Sequence, residues 1–288
     1  MNFRRGILLF LLSWAVSMAA AQDKPQKMKA RWLPKGNLFP SLLFDYQEAR
    51  TGGSIYGFNI NNAWQNRAFA NFSAGLRRPI VRWAYPDQKQ AELGFELCVN
   101  TQFLFEQPFS FFQVNLFSVD FKVGIFYQRL MHHGWSLRAR IYHMSSHLGD
   151  DYIYRFFITE FLENKRIYEV IDFTVAKKLD EFMLYGMLGF IPHTAYERKP
   201  LLLQLGGQWE KPVNNKKWLW WVAGLDIRSE QETGFYPGLH TGAGIRLGLP
   251  EAMPFSILLD YYHGYLPHSL YDKARINWVG GSLLFHPF

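Results

Sequence analysis

The sequence predicts an all-β fold, an antiparallel transmembrane β-barrel of the outer-membrane type with about twelve strands. Three observations point there. Apolar and polar residues alternate with period two through most of the chain, aromatic side chains collect near the ends of the alternating runs, and charges of both signs fall mid-run on the polar face. Composition agrees with this, because 18% of the 288 residues are aromatic and only 19% are charged, which excludes a disordered or collagen-like chain. The net charge of +7, or +5 without Arg4 and Arg5, is spread without a basic tract, so no nucleic acid partner is expected. After the first twenty residues no run approaches the ~18 apolar residues of a spanning helix. Lipid would therefore be crossed by strands.

The alternation is clearest from Phe117 to Tyr127, where Phe117, Val119, Phe121, Val123 and Ile125 face one way and Ser118, Asp120, Lys122 and Gly124 the other. Candidate strands lie near 52–61, 69–83, 91–105, 114–128, 134–146, 166–177, 182–190, 200–210, 217–228, 238–249, 254–264 and 274–286. The count is even, as bacterial barrels require. Trp135, Tyr127, Trp209, Trp218, Tyr261 and Trp278 stand at strand ends as an interfacial girdle would, while Asp120, Lys122, Arg138, Arg140, Asp226, Arg246 and Asp260 fall on the lumenal face. A soluble sandwich shares the period of two, but it would bury Phe121 and Ile245 between its sheets. The short connections at 85–90, 129–134, 177–181, 210–217 and 249–254 share an end with the C-terminus, which places them in the periplasm, and the longer ones are external. Two positions break the pattern: Pro79 inside one strand, and Glu169 on the apolar face of another.

Residues 1–21 form the predicted signal peptide: Arg4 and Arg5 precede an apolar run from Ile7 to Val16, and Ala19, Ala20 and Ala21 precede Gln22. Residues 22–50 are expected to be an N-terminal periplasmic segment and 51–288 the barrel. Cys98 is the single cysteine, so neither an intramolecular disulfide nor a cysteine-type zinc site can form.

The densest cluster of reactive side chains runs from Trp135 to Asp151. Trp135, Leu137, Ala139 and Ile141 face outward by alternation, and His143, Ser145 and His147 continue that face about 7 Å apart in successive pairs. An imidazole and a hydroxyl so placed can form an activated nucleophile, with Ser145 attacking an ester and His143 carrying the proton, given a third group to orient the ring. On the outward face the substrate would be a lipid. The alternative is that the three residues lie above the hydrocarbon region, where polar side chains cost little. Asp150 and Asp151 could bind Ca²⁺ or bridge lipopolysaccharide through metal, or simply be solvated at the start of a loop. His132 and His133 read as an exposed turn, and Asp120, Lys122, Arg138 and Arg140 as an ion-pair network filling the lumen.

Two resemblances follow from these residues. The His-x-Ser pattern of His143 and Ser145 resembles the motif of outer-membrane phospholipase A and of the lipid A deacylase barrels, which implies serine as nucleophile, histidine as base and, for the phospholipase, calcium. This sequence departs from that pattern: Ser146 follows where those families have Asn, and Phe157 stands twelve positions on where they have Asn or Glu. The third member is left open among His147, Asp150, Asp151 and Glu160. More broadly, Phe39 to Asp45, the block Ser145-Ser146-His147-Leu148-Gly149-Asp150, and Tyr262-His263-Gly264 are similar to a family of exported bacterial proteins without assigned function. The C-terminal run from Gly280 to Phe288 resembles the terminal strand read by the barrel assembly machinery. The expected partners are that machinery, membrane lipids, lipopolysaccharide and a second copy of the chain. The expected function is an outer-membrane barrel that hydrolyses acyl esters of phospholipid or lipid A. The alternative is a non-catalytic channel, adhesin or structural component of the envelope.

Overall fold

The computed structural model describes residues 28–60, 62–85, 89–106, 113–158, 166–194, 198–213, 215, 217–249 and 254–286; the predicted signal peptide and Glu160 lie outside these residues. Thirteen strands form: β1 (Lys29–Trp32), β2 (Thr51–Ile60), β3 (Ala63–Ala84), β4 (Gln90–Phe105), β5 (Val114–Leu130), β6 (Trp135–Leu148), β7 (Ile167–Leu179), β8 (Phe182–Thr194), β9 (Leu201–Pro212), β10 (Leu219–Glu230), β11 (Gly238–Leu247), β12 (Phe255–Tyr265) and β13 (Arg275–Phe285). A short helix, α1 (Asp150–Arg155), follows β6. From β2 to β13 each strand pairs antiparallel with the next, and β13 pairs with β2. Twelve strands thus close a ring with no free edge. The four residues of β1 add to β3 beyond the reach of β2, with Lys29 opposite Ala84 and Trp32 opposite Val81.

The strands follow the predicted spans closely, with two extensions: β8 runs four residues further, to Thr194, and β3 starts early. β3 begins at Ala63, six residues early, because Asn62 adopts a left-handed φ of 63° and lets the chain reverse tightly after Ile60. The residues it adds, Ala63 to Ala68, place polar Gln65, Asn66 and Arg67 in succession and carry no alternation to read. Pro79 sits at a register shift between β3 and β4, the place a strand can tolerate a missing N–H. On the outer surface Phe121 is 44% and Ile125 54% exposed, so no second sheet covers them. Trp278 corrects the predicted girdle. The pairing of β12 and β13 turns it inward, where it stacks on Tyr262 at 4.0 Å and on Tyr56 at 4.7 Å.

The N-terminal segment also differs from expectation. Residues 33–50 are not outside the barrel but thread its bore, and Phe39, Leu42, Phe44, Asp45 and Glu48 are all at most 2% exposed. A buried irregular segment must find partners for its backbone, and here the inward side chains of the wall supply them. The N–H groups of Leu38, Phe39 and Leu43 donate to Glu92, Gln128 and Gln208 at 2.8, 3.1 and 3.2 Å. Arg77 donates to the Phe39 carbonyl at 2.8 Å and Lys122 to the Gln47 carbonyl at 2.9 Å, while His240 Nδ1 lies 2.7 Å from the Phe44 carbonyl. Gly224 of β10 makes room for this plug, since a Cβ there would stand 2.7 Å from the Phe44 ring.

Glu48 carries the plug's charge into an arginine cluster. Arg138 reaches it at 2.7 Å and Arg140 at 3.4 Å, and Arg77 closes the group. Arg140 also pairs with Asp172 at 2.7 Å, Lys122 with Glu96 at 2.7 Å, and Asp120 with Arg166 at 3.7 Å. The predicted lumenal charges are thus buried and paired, but with Glu48, Glu96, Asp172 and Arg166 rather than with one another. Burial alone would raise the Glu48 carboxyl; Arg138, Arg77 and Arg140 outweigh it and hold the group well below the usual carboxylate range. A depressed carboxyl stabilises the fold above its unfolded value, about 4.3, and loses that contribution as pH falls toward the lower folded value. Glu48→Ala, which takes the acid from buried Arg77 and Arg138 and leaves Arg140 with Asp172, should cost about 3–5 kcal/mol. A thermal midpoint in detergent that moves little, with acid sensitivity unchanged, would show that Glu48 does not anchor the plug.

Candidate functional site

The alternation of β6 survives in three dimensions, so His143, Ser145 and His147 look outward while Tyr142, Met144 and Ser146 look in. The outward row continues across the neighbouring strands. Glu169 of β7 is in register with His143 and with His193 of β8. His143 Nδ1 lies 3.1 Å from Glu169 Oε1, and His193 Nδ1 lies 2.6 Å from Glu169 Oε2. One carboxylate therefore bridges two imidazoles on the outer surface.

A register irregularity builds this row. Between Glu169 and Ile171 the β8 strand carries one extra residue, so that Phe190 opposes Ile171 and His193 opposes Glu169. Such a bulge re-aims the side chains beyond it. Inward alternation of Met183, Tyr185 and Met187 gives way after it, and His193, with its side chain 76% exposed, emerges beside Glu169. Glu169 is the third residue of β7 and His193 the penultimate residue of β8, which puts the row near the end bearing the longer loops.

With the Glu169 carboxylate accepting the N–H of His143 Nδ1, the ring is held with Nε2 free to act as a base. Among the described residues the Ser145 hydroxyl has no hydrogen-bond partner, and it follows His143 by two residues on the same face. Rotation of the two side chains on an unmoved strand would bring them together, a contact that often closes only when substrate is bound. His147 is four residues from His143, about 13 Å along the strand, and lies edge-on to Phe121 at 5.9 Å. It is too far away to orient His143. The sequence reading therefore misses Glu169 and His193 as members of the cluster, although a carboxylate on an apolar face was the visible sign of one of them.

The other predicted residues do different work. Asp150 and Asp151 open α1, and Asp151 accepts the Leu116 N–H at 3.3 Å. Calcium would need several converging oxygens. Among the described residues no group of three or more His, Cys, Asp or Glu side chains gathers to hold a metal ion. Ser146 donates inward to Asp120, which His268 Nδ1 approaches at 3.3 Å from the loop after β12. Gly149 lies where β6 ends against β5, and a Cβ there would stand 1.8 Å from the Leu116 carbonyl oxygen. The block from Ser145 to Asp150 thus alternates outward chemistry with inward anchoring.

Several known proteins share the barrel. Outer membrane phospholipase A from Escherichia coli is similar with a TM-score of 0.56 at 11% identity, over 83% of this chain and 92% of that one. A Salmonella typhi outer membrane phospholipase, a dimer with bound calcium, gives 0.54 at 12% identity, over 87% and 94%. At such identity the likeness is one of fold. No curated protein matches the sequence. The family described as a protein of unknown function (DUF1207) matches residues 14–287.

Close packing at Gly149 is directly testable. Gly149→Ala should lower stability by roughly 1–3 kcal/mol through overpacking, whereas Gly57→Ala, with nothing within 4 Å of the added carbon, should be near neutral by comparison. Equal thermal midpoints for the two variants would remove the packing role assigned to Gly149.

Proposed function

The chain belongs to the family of proteins of unknown function DUF1207, and we propose that it is an outer-membrane barrel that hydrolyses acyl esters of membrane lipid at His143, Ser145 and Glu169. The observation that carries this reading is the 3.1 Å contact of His143 with Glu169 on the outward face, two residues from an unengaged serine hydroxyl. Outward placement selects the substrate class. A phospholipid or lipid A molecule in the bilayer meets this face directly, and the row lies toward the strand ends, where the bilayer passes from hydrocarbon to its polar interface.

The chemistry runs as acyl transfer to serine. His143 Nε2 removes the proton from Ser145 Oγ as Oγ attacks the ester carbonyl carbon, and the bond to the alcohol breaks as His143 returns the proton to the leaving oxygen. Water, deprotonated by the same nitrogen, then releases the fatty acid and restores the hydroxyl. Glu169 holds the tautomer and balances the transient imidazolium charge. His193 holds the second oxygen of Glu169 and so fixes the carboxylate against the strand.

The filled bore favours this reading over a channel. Plug residues 33–50 and the ion pairs around Glu48 occupy the lumen, and they leave the outer wall as the surface where lipid and reactive side chains meet. Purified protein given mixed micelles of phospholipid or lipid A should release fatty acid, and Ser145→Ala should abolish that release. Glu169→Gln should reduce it by about 10²- to 10⁴-fold while leaving the barrel folded. Release that is unchanged in Ser145→Ala, or a serine that a fluorophosphonate probe never labels in the parent protein, would rule the assignment out.

A further inference from the structure

We propose that the lumenal cup at the loop end of β2, β3, β4, β5 and β13 binds a small amphipathic anion, an apolar body carrying one carboxylate. The proposal concerns the inner wall and is independent of the lipid hydrolysis assigned to the outer one. Most inward residues of this barrel are charged or polar, yet at this end they turn aromatic. Phe58, Phe69, Leu104, Phe117 and Ile276 are each at most 5% exposed and belong to one apolar cluster, with Tyr152 and Tyr271 packed against it. Between them lies a cavity of about 450 Å³, within the range of small-molecule sites. An apolar body that fills this cavity removes its own surface from water against rings that are already held in place.

The cup has a defined shape. Phe58 packs on Phe69 at 4.5 Å, and Phe117 meets Tyr152 edge-on at 4.8 Å and stacks with Tyr271 at 5.9 Å, so the rings brace one another and present both faces and edges to an occupant. Charge at the cup selects the kind of ligand. Arg67 lines the cavity, with its side chain 43% exposed, and pairs with Glu106 at 2.9 Å. The same carboxylate is approached by Arg155 of α1 at 4.0 Å. Two guanidinium groups share one carboxylate, which leaves a net positive charge where a ligand's carboxylate would sit. An apolar body in the rings with its charge on Arg67 satisfies both halves of the site.

The test is equilibrium dialysis of naphthoate and of decanoate against the protein in lipid nanodiscs, with empty nanodiscs as the baseline for partition into lipid. Saturable retention of either anion is expected. Naphthoate retained above decanoate identifies an aromatic ligand, and the reverse order an acyl one. Arg67→Gln should weaken binding of the retained anion about tenfold and leave the matching neutral alcohol unaffected. Ala274→Trp should fill the cup and remove binding of both, while the mobility of the unheated barrel on gels reports that each variant is folded. Retention no greater than that of empty nanodiscs, or either variant binding as tightly as the parent, would overturn the proposal.

Discussion

The constraint on which the structure rests is that a bore of twelve strands must be filled. A ring this size is too wide for the inward side chains alone to meet across it, and it would hold water if nothing else entered. Here the chain's own residues 33–50 enter, and their acceptance depends on the cluster that Glu48 forms with Arg138, Arg140 and Arg77. Buried ion pairs of this kind contribute little net stability over an apolar equivalent, but breaking one is costly, because the remaining charges have no water to turn to. They therefore act as a lock: the segment fits in one register, and any displacement leaves Arg77 and Arg138 buried without an acid, while Arg140 keeps Asp172.

That lock has consequences for the wall. Glu92, Gln128, Gln208 and His240 stand on four different strands and each meets a backbone group of the plug, so the interior polar face is written for this segment and not for passing solutes. With the lower bore committed in this way, two surfaces remain for recognition: the outer wall with its His-Glu-His row, and the aromatic cup at the loop end. They differ in the water they see. The row meets hydrocarbon and interface, and the cup meets the aqueous side.

Much of the fold is legible in sequence because a strand with one greasy face repeats every two residues, as Val119 to Tyr127 does; Phe117, expected on the same face, turns inward because it is the extra residue at the register shift between β4 and β5. What periodicity cannot carry is position along the third dimension. The segment Phe39-Pro40-Ser41-Leu42-Leu43-Phe44 has no alternation, and an N-terminal periplasmic segment is the natural reading of it; its apolar density, alongside a lumen with more charge than solvent needs, is the available hint of a plug. Trp278 misled for the opposite reason, since an aromatic at a strand end is expected at the interface, and only the register with Tyr262 turns it inward. At the site, His143 and Ser145 were readable from one strand. Glu169 and His193 were not, because they reach the cluster through strand pairing, and His193 only through a bulge that no local pattern announces.

The bulge also bears on why the row is there at all. From Ile167 to Val175 the odd positions of β7 are Ile167, Glu169, Ile171, Phe173 and Val175, so the outward residues flanking Glu169 on its strand are apolar. A valine or isoleucine at 169 would complete that face at no electrostatic cost, whereas a carboxylate facing lipid is expensive and must be partnered. An arrangement serving stability alone would omit it. Instead the chain supplies two histidines to hold the carboxylate, and bends β8 out of register to bring the second one round. Local rules broken at a cost, with compensation assembled from three strands, are what a functional site looks like when read in energetic terms, and the serine beside His143 is the nucleophile we propose for it.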